Sequence, residues 1–223
     1  MSGLSLFAAP GTCARVPMIA LEEAGAEYDI RLVRFMRGEH RSPDFLALNP
    51  KGKVPTLVVD GRPLTENVAI ARYLATRFPD AALLPDPSDP FAAAQVTADL
   101  SFCAATLHPL VTRIRMAPMM VEGEAAAASL RSRAIEDMRF LATVVSDRVG
   151  DGWWYGDAWS VVDAYVYWAW FRITGAGFPA ADFPVWAAHA GRMEARPAVQ
   201  RALAHEAAMQ AQLEAEGAAF TPR

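Results

Sequence analysis

Apolar and polar residues alternate with a period of two in parts of the first 80 residues, and this pattern predicts short strands. "GLSLF" at residues 3–7 fits a strand that ends at the breaking segment "APG", and "EYDIRLV" places three apolar side chains on one face. "TLVVDGRPL" carries Asp60-Gly61 between two apolar runs, which is a strong signal for a β-hairpin.

Helical periodicity separates these strands. Residues 13–24 predict a helix with one apolar face. Its start is expected near Thr12 or Cys13, because Pro17 is tolerated only in the first turn of a helix. A short helix is predicted within "RSPDFLALNP".

A third helix over residues 66–78 has Thr65 as its predicted N-cap and Pro79 as its stop. The predicted order is therefore β-α-β-α-β-β-α, which is typical of a small layer of helices against a mixed sheet. We expect residues 1–79 to form this first domain.

Strand signals nearly disappear after the proline-rich segment "PDAALLPDPSDP", so residues 80–89 are predicted as a linker and residues 90–223 as an all-helical domain. Two long helices are predicted over 90–117 and 123–148, with breaks at Pro118 and Gly123. The capping signal Ser160-x-x-Asp163 predicts the start of a third helix, "VVDAYVYWAWFR". Two shorter helices are predicted over 184–195 and 198–214.

Composition narrows the function classes. The chain has 223 residues, of which 53% are hydrophobic and 21% charged, with a net charge of −4. Such a chain offers no clustered Lys and Arg for nucleic acid or an anionic membrane. No apolar run approaches the ~20 residues of a membrane span, and the N-terminus lacks the features of a signal peptide. We therefore expect a cytoplasmic protein without nucleic-acid or membrane partners.

The two cysteines, Cys13 and Cys103, are 90 positions apart and match no zinc spacing. We expect free thiols in a reducing compartment and no metal site. Cys103 is predicted to pack inside a helix. His40 and His189 stand in polar contexts and are predicted at the surface.

Cys13 has two interpretations that the local sequence leaves open. It is either a small buried hydrophobe, the common state of a free cysteine, or a reactive thiol at the start of a helix. Unpaired N–H groups and the helix dipole favour a thiolate there and lower the pKa of a thiol. Arg15, Arg34 and Arg37 are expected to act in the same direction.

Val54-Pro55, in "NPKGKVPTLVVDG", precedes a predicted strand. If this bond is cis, the backbone groups of Val54 point outward and can pair with an extended peptide. The alternative is an ordinary trans proline that begins a strand.

Glu66 and Asn67 stand at the predicted start of a helix, where they either close a capping box or bind an amino acid. In the second case Glu66 pairs with the ammonium, while Asn67 and the helix terminus receive the carboxylate. Together with Cys13 and Val54, these residues describe one ligand, which is an extended peptide with an α-amino-acid end and a thiol in its middle.

The sequence resembles the cytosolic glutathione transferases over nearly its whole length. The shared segments are "PGTC", "FLALNPKGKVPTL", "DGRPLTENVAIARYLA" and "SVVDAYVYW", in this order. "PGTCARVP" is most similar to the bacterial beta class. The resemblance implies a thioredoxin-like N-terminal domain, an all-helical C-terminal domain and a homodimer.

The resemblance also implies a set of residues for glutathione. Cys13 would face the glutathione sulfur, and Val54 would pair with the cysteinyl backbone across a cis Pro55. The γ-glutamyl end would be held by Glu66 and Asn67, and the glycyl carboxylate by Lys53 and Arg37. His108, in "FCAATLHPL", would lie near the sulfur and the second substrate.

The sequence departs from the family pattern at several positions. Ala105 stands where the beta class has a serine, and Asn67 follows Thr65-Glu66 where serine or glycine is frequent. Phe7 ends the first strand, so a tyrosine-type mechanism is not expected. Thr12 is an alternative to Cys13 for contacting the sulfur.

An apolar second substrate is expected between the domains, against Phe7, His108, Arg113 and Met116, with Trp168 as a further candidate. The expected function is stabilisation of the glutathione thiolate and its transfer to a hydrophobic electrophile. One alternative is thiol–disulfide exchange through Cys13, and another is a non-catalytic glutathione-binding scaffold. Glutathione would be a co-substrate, and no metal is expected.

Overall fold

The computed structural model describes residues 3–220, and it confirms the β-α-β-α-β-β-α order predicted for the N-terminal region. The elements are β1 (Leu4–Ala8), α1 (Arg15–Glu23), β2 (Asp29–Leu32), α2 (Pro43–Leu48), β3 (Thr56–Val59), β4 (Arg62–Thr65) and α3 (Asn67–Arg77). The strands form one mixed sheet in the order β2-β1-β3-β4. β1 pairs with β2 in parallel, whereas β3 is antiparallel to both β1 and β4.

The predicted hairpin joins β3 to β4. Asp60 and Gly61 both have positive φ, at 49° and 79°, as a tight two-residue hairpin turn requires. Thr56 on β3 lies opposite Thr65 on β4 in the register of the pair. This register brings the end of β4 beside the start of β3, so the residue that follows Thr65 lies near the segment that precedes Thr56.

Two predicted boundaries in this region are wrong. α1 begins at Arg15 rather than at Thr12 or Cys13, because the three residues before Arg15 form a tight turn. Thr65 is not the N-cap of α3, since it is the last residue of β4 and Glu66 occupies the cap position.

The remaining helices are α4 (Pro90–Ser101), α5 (His108–Met120), α6 (Glu124–Val149), α7 (Val161–Thr174), α8 (Pro184–Glu194) and α9 (Pro197–Ala215). A π-helical segment, Phe102–Leu107, joins α4 to α5. The contacts group residues 84–195 as one unit and place 196–220 with residues 3–83 as the other. The last helix therefore packs with the N-terminal unit, whereas we expected it within a domain of residues 90–223.

Prolines shape the long helical stretch from 90 to 120. Pro109 has no N–H to donate, and a wider π turn immediately before it accommodates the missing hydrogen bond. Pro118 was expected to break the helix, but α5 continues to Met120. α5 therefore tolerates Pro118 for two further residues, although Pro118 cannot donate the hydrogen bond that the carbonyl of Ile114 would otherwise accept.

α7 is buried along most of its length and begins with the predicted capping box. The Asp163 carboxylate accepts hydrogen bonds from the backbone N–H groups of Ser160 and Trp154, at 2.9 and 2.7 Å. His189 is fully buried, and its Nε2 lies 3.0 Å from Asp163, so the prediction of a surface histidine is wrong. Cys103 is fully buried, as predicted.

None of the helices in residues 3–220 is long and apolar enough to cross a membrane. The same residues contain no group of three or more His, Cys, Asp or Glu side chains that could hold a metal ion. Neither Cys13 nor Cys103 forms a disulfide within residues 3–220.

Candidate active site

The turn between β1 and α1 holds Thr12 and Cys13. The Thr12 hydroxyl donates to the Ala9 carbonyl at 2.7 Å, so this hydroxyl stabilises the turn itself. The half-buried Cys13 thiol points elsewhere and donates to the carbonyl oxygen of Val54 at 3.6 Å. The turn therefore directs Cys13 at the same backbone segment that was predicted to pair with a peptide.

The Val54-Pro55 bond is cis. Asn49, which is buried, supports this segment from below: its side-chain N–H donates to the Lys53 carbonyl at 2.7 Å and to the Thr56 hydroxyl at 3.1 Å. Asn49 was not among the predicted site residues, because its burial and its contacts with Lys53 and Thr56 arise only in the fold.

Glu66, at the start of α3, has φ of 74° and ψ of 125°, which is an unusual conformation for a residue other than glycine. Such conformations cost on the order of 1–3 kcal/mol and are concentrated at functional sites. The exposed Glu66 carboxylate lies 2.7 Å from the Lys51 ammonium, which also donates to Thr65 at 2.7 Å. An ammonium can thus reach Glu66, and in this structure the chain's own Lys51 supplies it.

Asn67 connects the start of α3 to the cysteine turn. Its side-chain N–H donates to the Cys13 carbonyl at 3.1 Å. Its Oδ1 atom is buried and has no hydrogen-bond partner among residues 3–220. A buried acceptor left unpaired costs about 1–3 kcal/mol, so Asn67 Oδ1 would favour a nearby N–H or O–H donor from a ligand.

The three arginines expected to promote a thiolate are each paired with a carboxylate. The Arg15 guanidinium is buried against the Glu206 carboxylate, with Nε 3.1 Å from Oε1. Arg34 binds Glu216 through two hydrogen bonds of 2.5 and 2.8 Å, and Arg37 also pairs with Glu216. Their positive charge is therefore largely neutralised, and their effect on Cys13 is weaker than the sequence suggests.

Arg37 and Lys53, which were predicted to bind the glycyl carboxylate, differ in their surroundings because only Arg37 lies against Glu216. Hydrogen bonds from Arg34 and then Gln212 hold the pKa of Glu216 at about 2, so Glu216 is an anion at any physiological pH. Arg37 donates to the backbone carbonyl of Glu216 at 2.8 Å. Lys53 is exposed, and its ammonium forms no hydrogen bond or ion pair within residues 3–220.

The predicted second-substrate residues fall in both units. Phe7, on β1, packs edge-on against Phe45 with ring centroids 5.8 Å apart. In the other unit, His108 Nδ1 lies 2.9 Å from the Tyr165 hydroxyl, and its ring meets Trp168 edge-on at 4.5 Å. The aromatic surroundings therefore fix the orientation of the His108 ring.

Arg113 does not share the face of α5 that carries His108. Five positions separate these residues, which corresponds to a rotation of roughly 140° around the helix. Arg113 instead lines an open groove of about 550 Å³ between α5 and α6, opposite Glu136 and Asp137. Met116 is half-buried on α5 and does not line this groove.

Comparison with known proteins identifies the family. Residues 2–76 match the family described as glutathione S-transferase, N-terminal domain. Glutathione S-transferase GstA of Escherichia coli O157:H7 is 30% identical over 212 residues, which are 91% of this chain and 98% of that protein. The chain belongs to the glutathione S-transferase family.

Solved structures agree with this assignment. A glutathione transferase homologue from Sulfitobacter, with bound glutathione, has a TM-score of 0.80 and 31% sequence identity to this chain. The match covers 94% of this chain and 100% of the Sulfitobacter chain. A bacterial beta-class glutathione S-transferase of Sphingomonas chungbukensis has a TM-score of 0.78 and 30% identity, with coverages of 91% and 98%. The thioredoxin-like N-terminal domain, the helical C-terminal domain and the likeness to the beta class are thereby confirmed.

Proposed function

We propose that this protein binds reduced glutathione, stabilises its thiolate and transfers it to an apolar electrophile. The observation that carries the proposal is the hydrogen bond from the Cys13 thiol to the Val54 carbonyl, at the cis Val54-Pro55 bond. It brings the candidate sulfur-contacting residue next to the backbone that would bind the cysteinyl residue of glutathione.

The surrounding residues suit the rest of the ligand. The backbone of Val54 would pair with the cysteinyl residue, as one strand pairs with another. Backbone N–H groups at the start of α3, that of Asn67 included, would hold the γ-glutamyl carboxylate, and Glu66 would accept the ammonium in exchange for Lys51. Arg37 and Lys53 would contact the glycyl carboxylate.

The proposed reaction joins the glutathione sulfur to an electrophilic carbon. The glutathione S–H loses its proton to solvent, the thiolate forms the new S–C bond, and the leaving group departs with its electron pair. Backbone N–H groups at the start of α1 would stabilise the thiolate without a strong base. Because the Thr12 hydroxyl is committed to Ala9, we assign the sulfur contact to Cys13 rather than to Thr12.

Glutathione binding and conjugation test this proposal. Calorimetry should show binding of reduced glutathione, and a nitro-activated aryl chloride should be conjugated by the parent chain. Cys13→Ala should change the rate more than Thr12→Ala does, while Cys103→Ala serves as the cysteine control. An absence of glutathione binding would reject a glutathione-dependent function, including that of a non-catalytic scaffold.

Disulfide exchange is a second candidate, because Cys13 is a half-buried thiol that is not in a disulfide. The Cys13 thiolate would attack the glutathione sulfur of a mixed disulfide, form a Cys13–glutathione disulfide and release the other thiol. A second glutathione would then reduce this disulfide and leave as glutathione disulfide. If Cys13→Ala abolishes disulfide reduction but preserves conjugation, this second function is the main one.

We also propose that the protein is a homodimer in the cytoplasm. The groove between α5 and α6 has Arg113 on one wall and Glu136 and Asp137 on the other, which gives charges that a symmetry-related copy can match. Phe140, 71% exposed, also lines this groove. Sedimentation should show a dimer for the parent chain, and Phe140→Asp should weaken it, whereas Phe91→Asp serves as an exposed aromatic control.

A further inference from the structure

Glu216 links the end of α9 to the arginines that precede α2. Its carboxylate accepts two hydrogen bonds from Arg34, and its backbone carbonyl accepts one from Arg37 at 2.8 Å. A carboxylate oxygen of Glu216 also lies 3.5 Å from Arg37. Arg37 is therefore already engaged by an anion of the protein's own chain.

The position of Glu216 on its helix is unfavourable by itself. It is the C-cap residue of α9, where the helix dipole presents partial negative charge and favours cations. Arg34 and Arg37 compensate for this dipole, and the Glu216 carboxylate adds a further negative charge that these arginines and a hydrogen bond from Gln212 stabilise. Capping of α9 therefore accounts for the two arginines but not for the glutamate.

The carboxylates of Glu39 and Glu216 balance the charges of Arg34 and Arg37, which affects how a ligand anion could bind. Arg34 and Arg37 supply two positive charges, and Glu39 and Glu216 supply two negative charges, because Glu39 also binds Arg34 at 3.3 Å. The cluster is neutral as a whole. A carboxylate that approaches Arg37 thus meets a guanidinium whose charge is already compensated.

We propose that Glu216 opposes binding of the glycyl carboxylate of glutathione at Arg37, so that ligand binding and docking of the C-terminal end of α9 compete. This inference rests on the proposed function, because it assumes that glutathione occupies the site. Coupling between two sites is reciprocal, so bound glutathione should also loosen the end of α9. Glu216 is a residue that sets affinity, and it takes no part in the chemical step.

Glu216→Gln tests the inference because it removes the charge and preserves the shape of the side chain. We expect this variant to bind glutathione about fivefold more tightly than the parent chain does. Its affinity for the glycine monoethyl ester of glutathione should stay unchanged, because the ester lacks the competing carboxylate. The ratio of the two affinities, measured by calorimetry, is insensitive to a general loss of folded protein.

Two further variants serve as controls. Glu214→Gln changes an exposed glutamate on the same helix that accepts a hydrogen bond from Gln210, and it should leave the ratio unchanged. Glu216→Asp keeps the charge and should restore a ratio close to that of the parent. Hydrogen exchange in residues 206–217 should quicken when the parent chain is saturated with glutathione.

The possible failures are distinguishable. If the parent chain binds neither ligand, the proposed function is wrong and this inference falls with it. If the parent binds glutathione but Glu216→Gln leaves the ratio unchanged, only this inference is wrong. If Glu216→Gln binds glutathione more weakly than the parent, Glu216 orients Arg37 for the ligand, and the proposed competition is overturned.

Discussion

The side-chain N–H of Asn67 donates a hydrogen bond to the backbone carbonyl of Cys13, across 3.1 Å and 54 positions of sequence. The bond joins the start of α3 to the turn that precedes α1. Asn67 is buried, so water cannot easily replace it as the donor. The conformation of the Cys13 turn therefore depends on a residue that was selected from the sequence for its contact with a ligand.

Asn67→Ala should weaken both folding and glutathione binding. The variant leaves the Cys13 carbonyl without this donor, which should lower the free energy of unfolding by about 1–2 kcal/mol. We expect glutathione affinity to fall by about tenfold, equivalent to about 1.4 kcal/mol. Urea unfolding and calorimetry measure the two effects. Gln95→Ala, at an exposed amide on α4, is the control, and an Asn67→Ala variant with parental affinity would contradict the assignment.

The Arg15–Glu206 pair is the main buried ion pair between α1 and α9. Both side chains are at most 8% exposed. Glu206→Gln should lower the free energy of unfolding by about 3–5 kcal/mol, because it leaves the Arg15 cation buried without its counter-charge. Replacing both residues with Met and Leu should cost less than the single change, since no charge then remains unpaired.

An exposed pair provides the comparison for Arg15 and Glu206. Arg31 and Asp29 lie 3.5 Å apart and are more than half exposed. Breaking this pair with Asp29→Asn should change the free energy of unfolding by less than about 1 kcal/mol. Equal effects for Asp29→Asn and Glu206→Gln in urea unfolding would contradict the role assigned to burial.

Local signals allowed turns and helix starts in both units to be predicted. The Asp60-Gly61 turn and the Ser160-x-x-Asp163 capping box depend on residues close in sequence, and both are present in the structure. The cis Val54-Pro55 bond needed the family resemblance, because spacing alone favours a trans proline. The predicted break at Pro118 is wrong by two residues, because α5 continues to Met120 before it ends.

The missed features depend on long-range contacts. His189 stands among polar and small residues in the sequence, but the fold buries it against Asp163, 26 positions away. The neutralisation of Arg15 by Glu206 spans 191 positions, and no local pattern indicates it. The basic residues near Cys13 could therefore be identified from the sequence. The carboxylates that neutralise them could not, because they come from the packing of α9.

The two cysteines should differ in reactivity under native conditions. Cys103 is fully buried, and burial raises the pKa of its thiol, as do the nearby charges of Asp99 and Asp163. A water-soluble alkylating reagent should therefore modify one thiol in the folded chain and two after unfolding in urea. Cys13→Ala should abolish the native modification. Rapid native labelling of Cys103, detected by mass spectrometry, would show that the unit around α4 opens readily.

Glu216 should make the stability of the chain depend on pH in the acid range. Its pKa is lowered from 4.5 to about 2, chiefly by the hydrogen bond from Arg34. A carboxylate with a lowered pKa in the folded state stabilises that state above the unfolded pKa, and this contribution is lost as pH falls through the folded pKa. The difference in melting temperature between the parent chain and Glu216→Gln should therefore be constant above about pH 5. It should shrink as pH falls from 4.5 towards 2. Glu214→Gln provides the matched control, and a difference that grows with acidity would show that Glu216 is not held as an anion by Arg34.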